Sequence, residues 1–220
     1  MALNEEQARE EICRVGASLF ARGYVHATAG NISVRLDDGY LITPTDACLG
    51  RLQPGRLARV DADGVQSAGD RASKTLALHR AIYGADAQAR CVIHTHSTHL
   101  VALTLAGVWQ ADCILPPITP YYVMKVGRVP LIAYHRPGAS EVADAVCAAI
   151  AAARDAGRDL RAVMLDRLGP NVWHDSPAAA MATLEELEET ARLWLVSGRS
   201  AMPLTPDQIG ALRQTFSARW

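Results

Sequence analysis

Cys91-Val92-Ile93-His94-Thr95-His96-Ser97-Thr98-His99-Leu100 is the stretch on which the reading of this chain turns. Its apolar, β-branched opening predicts a strand over Cys91–His96, and the run behind it predicts a helix over Thr98–Ala106. Upstream, Ile32–Leu36 alternates and meets Asp37-Asp38-Gly39 and Tyr40–Ile42, two strands joined by a tight hairpin. Leu57–Val60 and Val65–Ser67 flank Asp61–Gly64 as a second hairpin. Before both lies an amphipathic helix over Asn4–Arg22, with Asn4 as N-cap, Ala8, Ile12, Val15 and Leu19 on one face, and Gly23 as the stop. A helical pattern over Ser73–Tyr83 leads into the central strand. Downstream come a strand over Val129–Ala133, an alanine-rich helix over Glu141–Ala153, and short strands over Ala162–Leu165 and Asn171–Trp173 around Gly169-Pro170. A long helix over Ala178–Val196 and a short one from Thr205-Pro206 complete the chain. Strands that come first as hairpins and later between helices imply a mixed sheet with helices on both faces, hence the α/β class. With no repeat and no break in composition, residues 1–220 read as a single domain with a short C-terminal helical extension at about 199–220.

The balance of 22 Lys+Arg against 23 Asp+Glu, net charge -1 over 220 residues, argues against nucleic acid as a main partner. The apolar runs around Leu100–Trp109 and Ala145–Ala153 are far short of the roughly 18 residues needed to span a bilayer, so no membrane partner is expected. Asn4, Glu5 and Glu6 open a helix and not the basic region of a signal peptide. Cys13, Cys48, Cys91, Cys113 and Cys147 are scattered and contain no C-x-x-C pair, so they read as reduced thiols filling the core. The expectation is a soluble, cytoplasmic protein.

In a strand, His94 and His96 share a face, with Cα atoms roughly 6.6–6.8 Å apart, near enough for two imidazoles to meet on one metal ion. The bland alternative is a pair of half-buried histidines satisfied by backbone carbonyls, and two ligands do not complete a metal site. His99, three residues on, faces elsewhere and reads as structural. A second group comprises Thr28-Ala29-Gly30-Asn31-Ile32-Ser33, Thr43-Pro44-Thr45-Asp46 and Ser73-Lys74-Thr75 ahead of a helix. Turn N–H groups, a helix N-terminus, hydroxyls and a lysine suit a phosphate monoester, although turns and caps use the same residues.

The order Gly30-Asn31-Ile32-Ser33, Thr43-Pro44-Thr45, Ser73-Lys74 leading to His79, His94-Thr95-His96 and Leu168-Gly169-Pro170 resembles the class II aldolase/adducin family, over about residues 5 to 198. Thr119-Pro120-Tyr121-Tyr122-Val123-Met124, Arg136-Pro137-Gly138 and Leu184–Ala191 make it most similar to the 3-oxo-tetronate 4-phosphate decarboxylase branch. The resemblance implies a single-domain α/β/α sandwich with a mixed, largely antiparallel sheet and a homo-oligomer, usually a tetramer with sites between subunits. It also implies a divalent metal, zinc suiting imidazole ligands best, and a small phosphorylated sugar-acid substrate. Carried over, His94 and His96 match metal ligands, and Asn31, Thr45, Ser73 and Lys74 match the phosphate pocket, with backbone from Gly30 and Asp46. Tyr121 falls in the segment that lends a tyrosine to a neighbouring site, Tyr122 being the alternative.

Two positions depart from the family pattern. Thr75 stands where the family has a metal-binding glutamate that serves as acid and base, and Leu168 where it has a third metal histidine. Neither side chain replaces what is lost. Asp166 is a candidate stand-in, His174 and His135 weaker ones, and water or substrate oxygens another. A retro-aldol cleavage needs the missing base. Decarboxylation of a 3-oxo acid needs only a polarised carbonyl, a stabilised enediolate and a later proton from Tyr121 or water. The expected activity is therefore metal-dependent decarboxylation to dihydroxyacetone phosphate and CO2, with Tyr121 and Lys74 in the catalytic apparatus. The alternatives are another sugar-phosphate lyase, aldolase or dehydratase, and a degenerate homologue that only binds.

Overall fold

The computed structural model describes residues 3–218 and 220. Helix α1, Glu5–Ala21, opens with a reciprocal capping box, the Asn4 side chain and that of Gln7 each accepting the other's backbone N–H. Strands β1 (Asn31–Leu36), β2 (Gly39–Ile42), β3 (Ala58–Asp61) and β4 (Gln66–Ala68) form an antiparallel run from the two predicted hairpins. Helix α2, Leu76–Ala85, leads to β5, Cys91–His94, which is followed by α3, Thr98–Ala106. Then come β6 (Leu131–Ile132), α4 (Glu141–Asp155), β7 (Ala162–Leu165), β8 (Gly169–His174), α5 (Pro177–Val196) and α6 (Pro206–Phe216).

The eight strands form one sheet in the order β4-β3-β2-β1-β5-β8-β7-β6, antiparallel everywhere except at β6–β7, which are joined through α4. The mixed, largely antiparallel sheet is thus as expected, and β5, quoted first above, lies inside it between β1 and β8. Its alternation divides the core. Cys91 and Ile93 pack with α1, α3 and α5 on one face, and Val92 packs with α2, α4 and Trp173 on the other. The α3 N-terminus is capped from outside the helix: the buried Glu188 carboxylate of α5 accepts from the backbone N–H groups of His99 and Leu100 and bonds His99 Nδ1 at 2.8 Å. His99 is thereby structural.

Three boundaries next to the histidine pair and the α2 start differ from expectation. The central strand ends at His94 and not at His96, because Thr95 turns to bond Pro170 across the sheet. Gly169-Pro170 already belongs to β8, and the reversal before it is Asp166–Leu168, with Arg167 in a left-handed conformation at φ +60°. Helix α2 begins at Leu76, three residues late, because Ser73 is held beside Thr43 by a backbone hydrogen bond. All five cysteines are free. No described helix is long and apolar enough to cross a membrane. Beyond α5, Leu204, Ile209, Leu212 and Trp220 of the C-terminal segment pack on the α1/α5-side core, and Trp220 meets the Tyr122 ring edge-on at 5.3 Å.

Candidate active site

Two glycines grip the backbone where β5 ends. A Cβ at Gly30 (φ +85°) would lie 2.9 Å from the His94 carbonyl oxygen, and one at Gly169 (φ +137°) would lie 1.9 Å from that of Thr95. Only glycine allows both the dihedrals and the approach. His94 and Thr95 are therefore clasped between the starts of β1 and β8.

His94 is buried, and its Nδ1 stands 2.9 Å from the Pro170 carbonyl oxygen. A carbonyl only accepts, so Nδ1 carries the hydrogen and Nε2 presents a lone pair. The His96 ring, beyond the strand end, lies 5.0 Å from that of His94 at 69°. Burial, helped by the neighbouring His96 ring, pushes His94 down to a pKa of about 4. Burial and the nearby His26 ring lower His96 as well. Both imidazoles are neutral at pH 7, the state that ligates metals. His26, whose ring is 6.5 Å from that of His96, was not singled out from the sequence, where a lone loop histidine has no periodicity to mark it.

The fixed tautomer, the neutral rings and their spacing fit a divalent ion held by two histidines. Among the described residues no third His, Cys, Asp or Glu joins them. Thr75 precedes the first turn of α2 with its Oγ1 2.8 Å from Ser73 Oγ, and Leu168 packs against the α2/α4-side core. Asp166 does not serve as the stand-in ligand: it sits in the turn after β7, its carboxylate 3.9 Å from the Arg167 guanidinium. His174 bonds Asp175 instead. Such an ion would need water or substrate oxygens to complete its coordination.

The segments expected to bind phosphate lie beside the pair. Thr43 Oγ1 accepts from the Ile32 N–H, Ser73 N–H donates to the Thr43 carbonyl, and Pro44 bridges Ala72, which draws the starts of β1 and α2 and the end of β2 together. Asn31, Thr45, Ser73 and Lys74 stand on these three segments. The N-terminus of α2 has no side-chain cap; the Ser73 carbonyl takes its first N–H, that of Leu76, and the N–H groups of Ala77 and Leu78 follow it, while Asp46 holds φ +57°, a conformation uncommon outside glycine. Lys74 is exposed. A cleft of about 390 Å³ opens beyond Thr45 and Asp46, lined by Arg51, Arg56 and Arg71, and does not reach the histidines. The clasped backbone and its hydrogen bonds locate the chemistry better than that hollow does.

Tyr122 is fully buried against Trp220, whereas Tyr121 is 59% exposed, so only Tyr121 is free to act outside its own core. The sequence left that choice open.

The surroundings of His94 contain groups that the sequence reading passed over. Asn31, His94 and Asn171 are directly opposite one another across β1, β5 and β8, all on the α2/α4 face. Above them His79 Nδ1 is 2.8 Å from Ser33 Oγ, which is 2.7 Å from the Tyr83 hydroxyl. Tyr83 donates its hydrogen to the Ser33 carbonyl at 3.0 Å. Ser33 must then donate to Tyr83 and accept from His79 Nδ1–H, which leaves His79 Nε2 a bare acceptor. Burial, with the nearby His94 ring, lowers His79 to a pKa of about 3. His79 Nε2, Asn31 Oδ1 and both polar atoms of the Asn171 amide are buried without a protein partner.

Comparison with known proteins places this arrangement. The family described as Class II Aldolase and Adducin N-terminal domain matches residues 10–195. The chain belongs to the class II aldolase and adducin family. A protein of Cupriavidus necator named 3-oxo-tetronate 4-phosphate decarboxylase is 58% identical, over 98% of this chain and 99% of its own length. The crystal structure of YgbL from Klebsiella pneumoniae, described as a putative aldolase/epimerase/decarboxylase, superposes with a TM-score of 0.87 at 42% identity, covering 96% of this chain and all of that one (100%). L-fuculose-1-phosphate aldolase from Thermus thermophilus follows the same fold with a TM-score of 0.72 at 28% identity, over 90% of this chain and 98% of its own. Family membership accounts for the sheet order and for the position of His94-Thr95-His96 at a strand end beside the Gly30-Asn31 loop.

Proposed function

We propose that this protein decarboxylates 3-oxo-tetronate 4-phosphate to dihydroxyacetone phosphate and CO2. The observation that carries the reading is what the site keeps and what it lacks: two neutral imidazoles beside an anion-binding corner, and, among the described residues, no carboxylate joining them. A β-keto acid needs no base to lose CO2, because its own carbonyl accepts the electron pair. The name carried by the Cupriavidus necator relative agrees. A divalent ion on His94 and His96, zinc by the preference of imidazole, would supply Lewis-acid polarisation of the oxo group.

The chain's own residues do the rest. Asn31, Thr45, Ser73 and Lys74, with the N–H groups opening α2, hold the phosphate and so set the oxo carbon against the histidines. Tyr121, exposed and free, reaches across a subunit interface of a homotetramer and directs a proton to C2 of the enediolate. The protein works in the cytoplasm, in keeping with its free cysteines. An aldolase reading has the fold in its favour but lacks a base at position 75. Supplying metal-loaded protein with 3-oxo-tetronate 4-phosphate should yield CO2 and dihydroxyacetone phosphate in equal amounts. Release of an aldehyde from a sugar phosphate instead, or no product, would overturn the assignment.

A further inference from the structure

The Asn171 carboxamide is 1% exposed, and neither its oxygen nor its nitrogen has a partner among the described residues. An amide buried this way costs stability unless a water, an ion or a ligand completes it. Asn31 Oδ1 and His79 Nε2, also unpartnered, share its face of the sheet. Asn171 Nδ2 is a buried N–H donor, whereas the unpartnered atoms of Asn31 and His79 that are buried with it are acceptors.

The register sets a direction. Asn31 and the phosphate segments lie on the β1 side of His94, and Asn171 lies on the β8 side. The two asparagines are separated by two strand spacings, roughly 9–10 Å. A four-carbon acid with phosphate on C4 and carboxylate on C1 spans most of that distance when extended. With its phosphate at the β1 side and its oxo carbon near His94, its carboxylate falls at Asn171.

We propose that Asn171 seats the substrate carboxylate, donating from Nδ2 to one carboxylate oxygen, an inference that rests on the decarboxylase reading above. The residue type suits a group about to leave as CO2. An arginine or lysine would stabilise the carboxylate charge and oppose its loss, whereas a neutral amide orients the C1–C2 bond without holding the charge back. Leu168 and Trp173 belong to the apolar cluster on the same face of the sheet as Asn171. The C1–C2 bond breaks, its electron pair forms the C2–C3 double bond, the C3 carbonyl becomes an enediolate oxygen, and CO2 departs. A proton then adds at C2. Asn171 neither gains nor loses a proton.

The test pairs Asn171→Leu, which keeps the side-chain skeleton without polar atoms, with Asn171→Asp, which sets a negative charge in the same place. Thermal unfolding without ligand should leave Asn171→Leu at or above the wild-type midpoint, since no protein partner is lost. Its kcat/KM for 3-oxo-tetronate 4-phosphate should fall about tenfold or more, that of Asn171→Asp further. Inhibition by a tetronate 4-phosphate, which carries the carboxylate, should weaken in both variants by the same factor as substrate binding. Inhibition by dihydroxyacetone phosphate, which lacks it, should not change. Equal weakening of both inhibitors, or a Leu variant that loses stability while retaining its inhibition by the tetronate, would overturn the assignment and make the amide structural. Wild-type protein that binds the tetronate but forms no CO2 would sink the decarboxylase reading instead.

Discussion

Lys74 is the lone side-chain cation on the three segments proposed to hold the phosphate, and its side chain is exposed. Lys74→Ala is expected to raise KM about tenfold or more with little change in kcat, the size of one lost charge-assisted hydrogen bond. Steady-state kinetics would show it, and an unchanged KM would remove Lys74 from the pocket. His79 gives a prediction of the opposite kind. Its folded pKa of about 3 lies below the ordinary 6.5, so between those values the unfolded chain binds more protons than the folded one. Stability contributed by neutral His79 is complete above pH 6.5 and declines as pH falls toward 3, by up to about 1.4 kcal/mol per pH unit. Urea unfolding at about pH 7, 6, 5 and 4 should show a slope that is shallower in His79→Gln. Equal slopes would place the acid sensitivity elsewhere.

At the scale of elements, α3 depends on a residue 88 positions away, the buried Glu188 that accepts from Leu100 N–H as well as from His99. Glu188→Ala leaves those donors unpaired and should cost about 3 kcal/mol. In a chain of this size that lowers the melting midpoint by about 6–12 °C. A drop of under a degree in calorimetry would mean that water replaces the carboxylate without loss. The helices and hairpins were legible because each has a local signature: Asn4 and Gly23 for α1, Asp38-Gly39 for the first turn, alanines for α4. The ends of β5 and β8 were not, since they depend on Thr95 crossing Gly169, a contact between residues far apart in the chain. The site divides the same way. His94-Thr95-His96 and the Thr43–Thr45 turn stand out as motifs. Asn171, a polar residue in a mostly apolar strand, gains meaning only when register sets it beside His94, and Asp166 joins no metal-holding group among the described residues.

For the molecule as a whole, the exposure of Tyr121 against the burial of Tyr122 bears on assembly. If Tyr121 completes a neighbour's site, His96→Ala and Tyr121→Phe proteins, each nearly inactive, should restore activity when unfolded and refolded together. Mixed oligomers would then hold sites with both residues intact, roughly a quarter of them at equal mixing. No recovery, in samples shown by native mass spectrometry to contain mixed oligomers, would confine Tyr121 to its own subunit or exclude it.

The relay His79 Nδ1–H to Ser33 Oγ–H to Tyr83 O–H ends on the Ser33 main-chain carbonyl, a group that takes no further proton. A chain of hydroxyls beside a reaction centre resembles a wire to solvent, yet this one is insulated at its far end and conducts nothing. This relay therefore carries no proton between solvent and the site, and the proton that quenches the enediolate has to come by another route.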